Sequence, residues 1–149
     1  LVQTPYFLPP EGLLMSLCSA ALRGVHVSVM LPERGDSYLT QRASDSYLTQ
    51  LLQAGVDVRR YRGGFLHSKL LVVDRRIVGI GSANMDFRSL EINLEVMSFV
   101  YDKRIAEELS EAFEEDLQEC HQLTLEEWSE RSFWIRSLEA LARLFSPLL

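Results

Sequence analysis

Leu70-Leu71-Val72-Val73 sets four apolar residues in a row, and Ile77-Val78-Gly79-Ile80 nearly repeats the pattern after three intervening residues. A strand with one wet face alternates apolar and polar side chains. A strand without alternation is covered on both faces. The two segments therefore predict a hairpin, turning at Arg75-Arg76, inside a sheet with helices on both sides. The rest of the chain supplies such elements. Leu1–Thr4, the alternating Val25–Leu31, Val56–Arg62 and Leu94–Tyr101 read as further strands. Pro9-Pro10-Glu11-Gly12 opens a helix with Leu13, Leu14, Leu17, Cys18, Ala21 and Leu22 on one face, closed by Gly24. A second helical pattern covers 36–54 and ends at Gly55. From Asp102 on, Ile105, Leu109, Ala112, Phe113, Leu117 and Cys120 recur at helical spacing. Trp134, Ile135, Leu138, Leu141, Ala142 and Phe145 do so again before Ser146-Pro147. The expected class is α/β, a mixed β-sheet flanked by helices with helices at the C-terminus.

The second helix contains an identical hexapeptide twice, Asp36–Gln41 and Asp45–Gln50, nine residues apart. Nine residues are about two and a half helical turns, so the copies should fall on opposite faces. Two copies do not make a repeat architecture, and no function is read into them.

A length of 149 residues suits a single domain, 1–149, with a core that needs no staples. No apolar run approaches the roughly 20 residues of a membrane-spanning helix. The net charge of -6 argues against a protein that coats nucleic acid, which needs a basic face. The first residue is Leu1 and no leader pattern precedes the apolar start, so the chain reads as cut from a longer protein. Cys18 and Cys120 are isolated, lack metal-ligand spacing, and read as buried thiols of a reducing compartment rather than a disulfide.

One constellation carries chemistry: His67-Ser68-Lys69, then Asp74, then Gly81-Ser82-Ala83-Asn84. At a strand entry, side chains two apart share a face, so the imidazole and ammonium project together. Asn84, past the second strand, can reach the same place. This set suits a phosphodiester. Histidine supplies a nucleophile or proton carrier near neutrality. Lys69 supplies fixed charge, and Ser82 and Asn84 supply hydrogen bonds to non-bridging oxygens. No carboxylate cluster suggests a metal. Glu95 is a candidate to orient His67 through its second ring nitrogen. Asp74 fits either a site role or a turn before Arg75-Arg76, and Arg88 fits either a phosphate contact or a surface ion pair. Phe65-Leu66 could line a lipid entrance or simply pack, and His26 should face solvent. The last helix, with Phe133, Trp134, Ile135, Leu144 and Phe145, could pack on a missing part of the protein or lie at a membrane interface.

These residues resemble the H-x-K-x4-D, x6, G-S-x-N signature of the phospholipase D superfamily. Its six fixed positions arise by chance in such a chain with odds of roughly one in several hundred thousand. Thr4-Pro5-Tyr6-Phe7-x-Pro9, Arg23-Gly24-Val25, Leu52-x-Ala54-Gly55-Val56, Met85-Asp86-x-Arg88-Ser89, Glu91-x-Asn93-x-Glu95-Val96, Tyr101-Asp102 and Leu144–Leu149 extend the likeness to the C-terminal half of bacterial cardiolipin synthases. The resemblance implies phosphatidyl transfer between two phosphatidylglycerols, giving cardiolipin and glycerol through a phosphohistidine, with no cofactor. It implies His67, Lys69, Asp74, Asn84 and Glu95 as catalytic residues, with Lys69, Ser82 and Asn84 on the phosphate. It also implies a longer protein at the bacterial cytoplasmic membrane, this piece of it soluble. Such sites use two motifs, and this chain has one. The second would come from the missing half or from a second copy in a homodimer. A homodimeric single-motif nuclease and an inactive half are the alternatives; nucleic acid is not the expected partner.

The charge is uneven. Residues 1–102 hold 10 basic and 10 acidic side chains, and residues 103–149 hold 5 and 11. Between Arg59 and Arg76 six basic residues face one acid, so the surroundings of the motif are basic.

Overall fold

The structure is a computed structural model that describes residues 1–149. Nine strands occur: β1 (Val2–Gln3), β2 (Phe7–Leu8), β3 (Ser28–Pro32), β4 (Asp57–Tyr61), β5 (Leu70–Val73), β6 (Ile77–Gly81), β7 (Met85–Asp86), β8 (Met97–Val100) and β9 (Cys120–Gln122). The helices are α1 (Glu11–Leu22), α2 (Tyr38–Gln53), α3 (Phe87–Glu91), α4 (Lys103–Asp116), α5 (Leu125–Ser129) and α6 (Phe133–Arg143). Short 3-10 turns follow α4 and α6. Seven strands form one sheet in the order β8-β6-β5-β1-β3-β4-β9. β1, β3 and β4 are parallel, joined through α1 and α2, and the flanking pairs are antiparallel. A separate parallel pair joins β2 to β7.

Helices cover both faces at the centre of the sheet, but the unalternating strands do not meet their expected burial on both faces: Leu70 and Val72 of β5 are buried under α4, whereas Val73 is 39% and Ile80 of β6 44% exposed. Val29 and Leu31 of β3 pack with Leu14, Ala43, Leu48 and Leu51 of α1 and α2. Met30 points the other way, onto Leu66 and Phe113 of α4. Leu70, Val72 and Val78 also meet α4, at Ala106. All five residues of β3 are buried, so its apparent alternation marks two covered faces and not a wet one. His26, just before β3, is exposed as expected.

The repeated hexapeptide straddles α2 as its spacing demands. Tyr38 and Leu39 are 64% and 42% exposed, whereas Tyr47 and Leu48 are 6% and 0%. Ser37 caps the helix by accepting from the Thr40 amide at 3.4 Å.

Three expectations need correction. Cys120 does not continue α4; it opens β9, an edge strand paired with β4 from Tyr61 to Arg59. The helical spacing up to Leu117 is real, and the next three residues leave it to close the sheet. Strand β8 begins at Met97 rather than Leu94, because 92–96 form a loop at the site. The cysteines are free thiols, partly rather than fully buried, on α1 and β9.

Candidate active site

The register of the antiparallel strands builds the site. Leu70 lies opposite Ile80, and Gly81 opposite Met97. The start of β5, the end of β6 and the start of β8 therefore meet at one end of the sheet. His67 and Lys69 enter there, Ser82 and Asn84 leave there, and Glu95 arrives there. Gly81 permits the close approach. A Cβ at that position would lie 2.0 Å from the Val96 carbonyl oxygen and 2.9 Å from the Met97 Cα, so no side chain fits without parting the strands.

Period-two alternation orients the first segment. Leu66 and Leu70 are buried, and Ser68 donates inward to Gln3 Oε1 at 2.9 Å. His67 and Lys69 consequently face out together. Lys69 Nζ lies 3.0 Å from His67 Nδ1 and donates to the His67 carbonyl oxygen at 2.8 Å. The His67 ring stacks on Phe65, 5.5 Å between centroids, and meets the edge of Tyr6 at 6.5 Å. Partial burial pulls the Lys69 ammonium below its ordinary pKa, while Glu95 and Asp86 oppose the shift.

Ser82 donates its hydroxyl to Glu95 Oε2 and accepts from the Val96 amide at 3.0 Å. Asn93 Nδ2 donates to Glu95 Oε1 at 3.3 Å. These two donors, first Ser82 and then Asn93, hold the Glu95 carboxyl below the ordinary glutamate pKa. Glu95 thus stays an anion beside Lys69, but its hydrogen bonds go to Ser82 and Asn93 and not to His67. The expected Glu95–His67 pairing is not formed within this chain, because the 92–96 loop folds back onto Ser82. Asn84 is partly exposed, yet its Oδ1 is buried with no hydrogen-bond partner. An unpaired buried acceptor costs about 1–3 kcal/mol, so stability does not explain the placement of this amide.

Asp74 is the clear correction among the predicted site residues. It lies at the other end of β5, in the turn to β6, about 20 Å from His67 at strand rise. Asp74 and Arg75 both have positive φ, 52° and 51°, and Arg76 N–H closes the turn onto the Val73 carbonyl at 3.0 Å. Aspartate tolerates that left-handed backbone better than most residues, which suits Asp74 to this turn. Arg88, on α3, is exposed and forms no side-chain hydrogen bond or ion pair.

Four contributors carried no assigned role in the sequence. Thr4 Oγ1 accepts from the Met85 amide at 3.2 Å, tying the β2–β7 pair to the segment that carries Asn84. Asp86 is buried and caps α3 through the Ser89 amide at 2.6 Å. Tyr6, which donates to Asp36 at 2.6 Å, borders His67, and Asn93 holds Glu95. All four lie in the segments that carried the family likeness, which was the available signal.

Taken together, an outward His-Lys pair at one end of a helix-covered mixed sheet, with Ser and Asn from the next strand's exit, defines a phospholipase D-type protein. The fold agrees with solved structures. Nuc from Salmonella typhimurium, a phospholipase D family member, superposes with a TM-score of 0.71 at 22% identity, over 83% of this chain and 80% of that one. A phosphatidylserine synthase from Haemophilus influenzae gives 0.77 at 17% identity, over 99% of this chain and 41% of that one. Within this class the chain belongs to the family described as cardiolipin synthase, PLD-like domain, which matches residues 1–117. Cardiolipin synthase of Listeria welshimeri is 45% identical over 148 residues, and the major cardiolipin synthase ClsA of Bacillus subtilis 44% over 149. Those alignments cover 99% and 100% of this chain but 31% of each relative, so the chain spans about a third of their length.

Proposed function

We propose that residues 1–149 are one catalytic domain of a cardiolipin synthase, contributing half of a two-histidine phosphatidyl-transfer site. The observation that carries this reading is the convergence of His67, Lys69, Ser82 and Asn84 at one sheet end in a member of the cardiolipin synthase family. A single imidazole cannot both attack phosphorus and protonate the leaving alcohol in one step, so a second acid-base group is needed, and the family likeness makes it a second histidine facing His67. It comes from the remaining two thirds of the longer protein or from a second copy of this chain.

In the reaction, one histidine attacks the phosphorus of phosphatidylglycerol. The glycerol oxygen leaves with the electron pair of its P–O bond and takes a proton from the other histidine. That second histidine then accepts a proton from the free hydroxyl of another phosphatidylglycerol. The resulting oxygen nucleophile displaces the first histidine, giving cardiolipin. His67 is assigned the proton-carrier role. Lys69 and the Asn84 amide neutralise and bind the phosphate oxygens, where the developing negative charge lies. Ser82 adds its hydroxyl once phosphate competes with Glu95 for it. Glu95 keeps Ser82 in place. The substrate places the protein at the bacterial cytoplasmic membrane.

The test uses the longer protein with phosphatidylglycerol labelled in its head-group glycerol. The reading expects one labelled glycerol released per cardiolipin formed. Release of glycerol without cardiolipin would make the protein a hydrolase. Plasmid cleavage by the 149-residue chain, with no lipid product, would favour a nuclease.

A further inference from the structure

We propose that Phe65 and Tyr6 are positioning residues that hold the His67 imidazole in its working orientation, a role that no carboxylate of this chain fills. Both oxygens of Glu95 are taken, by Ser82 and by Asn93, and the ring nitrogens of His67 meet only Lys69. A proton carrier needs a ring whose direction survives each change of charge. Lys69 cannot provide that alone. An ammonium has donors and no acceptor, so it bonds an imidazole nitrogen only while that nitrogen carries no proton. When the ring takes up its proton, both nitrogens become donors. The lysine bond is then lost, and two cations stand side by side.

Contacts to the face and edge of the ring do not fail in this way. Phe65 stacks on the imidazole at 5.5 Å with 27° between the planes, and Tyr6 makes an edge contact at 6.5 Å and 86°. Both lie within the range of about 4.5–7 Å between centroids at which aromatic pairs attract. An aromatic face also attracts a cation, so the Phe65 contact strengthens when the ring is charged, at the moment the lysine bond is lost.

The two aromatic side chains are placed by different means. Phe65, His67 and Lys69 alternate with buried Leu66, inward-donating Ser68 and buried Leu70, which puts phenyl, imidazole and ammonium on one face in that order. Phe65 is 53% exposed, so core packing does not account for its place. Tyr6 comes from a distant part of the sequence and is fixed at both ends. Its hydroxyl donates to Asp36 at 2.6 Å, and its carbonyl oxygen accepts from the hydroxyl of buried Thr4 at 2.8 Å. Phe7 beside it is buried as well. Tyr6 is thus a fixed wall and Phe65 a stacking face, with His67 in contact with both.

Three roles for Phe65 separate by what each one changes. A residue lining a lipid entrance acts on substrate binding, a packing residue acts on stability, and a positioning residue acts on turnover. The inference rests on the proposed function in its kinetic part only.

The kinetic experiment uses the longer protein and phosphatidylglycerol labelled in its head-group glycerol. Glycerol release is the readout, since transfer and hydrolysis both give it. Phe65→Leu keeps apolar bulk and removes the ring. It should lower kcat about threefold to tenfold, the worth of one aromatic pair, with KM little changed. Phe65→Tyr keeps the ring and should restore the parent rate. Tyr6→Leu should lower kcat by a similar factor, and Tyr6→Phe by less. A second measurement needs no turnover. In NMR spectra of the 149-residue chain the His67 ring protons, assigned by their loss in His67→Ala, should be shifted upfield by the Phe65 ring. In folded Phe65→Leu they should return toward the positions of free imidazole. Parent kcat in Phe65→Leu, a rise in KM alone, equal losses in Phe65→Leu and Phe65→Tyr, or ring protons that ignore Phe65→Leu would each overturn the proposal. Parent kcat in Phe65→Leu with glycerol release abolished in His67→Ala would overturn it and leave the proposed function standing.

Discussion

Asp74 is five residues from Lys69 in the chain and at the far end of a strand in space. Spacing along a hairpin fixes which residues share an end: His67 and Lys69 open β5, Ser82 and Asn84 leave β6, and the aspartate between them turns the corner. Asp74→Asn should therefore keep full phosphatidyl transfer in the longer protein. Asp74→Val, with a branched side chain at φ 52°, should cost roughly 1–2 kcal/mol in urea unfolding of this chain. By contrast Lys69→Ala and Asn84→Ala should each lose about 10²–10³ in turnover with stability nearly unchanged. Tyr6 gives a prediction independent of turnover. Burial first, then the hydrogen bond to Asp36, pushes its phenol up to about 12. A folded pKa raised above the unfolded value favours the fold below the unfolded pKa, about 10, and that contribution is lost as pH rises toward 12. Ultraviolet titration should show one high-titrating tyrosine that Tyr6→Phe removes. What the sequence could not reveal at this scale is the partner choice of Glu95. Its hydrogen bonds depend on how the 92–96 loop folds over Ser82, and no periodicity describes a loop.

At the scale of the element, α2 offers an internal control. The same hexapeptide meets solvent in its first copy and core in its second, so identical substitutions should differ sharply. Tyr47→Ala and Leu48→Ala should each cost about 2–5 kcal/mol, and Tyr38→Ala and Leu39→Ala less than about 0.5. Denaturant titration of the four variants checks this. Equal effects within a pair would contradict the half-turn offset. The long elements were legible because each buries a periodic face. β2, β7 and β9 were not, since two or three residues carry no period and exist only through their partners. Asp45 is similar. As part of a repeat it looks like a surface residue, yet it is 5% exposed and pairs with buried Arg60. Removing it by Asp45→Ala strands that arginine and should cost about 3–5 kcal/mol.

At the scale of the whole molecule, the uneven charge finds its place. The surplus of acid sits on α4 and α5. The basic stretch from Arg59 to Arg76 does not gather at the motif: Arg75 and Arg76 turn the corner at the far end of β5, Arg60 is buried on Asp45 and Arg59 pairs with Asp57, which leaves Lys69 and Arg62 at the site's end of the sheet. The fold class and the His67–Lys69 pair were readable in the sequence because alternating helix and strand periods and a six-residue motif are local patterns; the open second face of β5 and β6 was not, because apolar residues alone do not say what covers them. The second histidine of the proposed site was not either, because the sequence carries a single motif. The chain spans 31% of its relatives' length and carries one motif where the proposed chemistry needs two. The central claim is that His67 belongs to the reacting centre of that composite site. The most direct measurement is cardiolipin formation from labelled phosphatidylglycerol by the longer protein, with and without His67→Ala. The account predicts a fall of at least about 10³ in the variant, with folding retained. Cardiolipin formed by His67→Ala at the parent rate would contradict it.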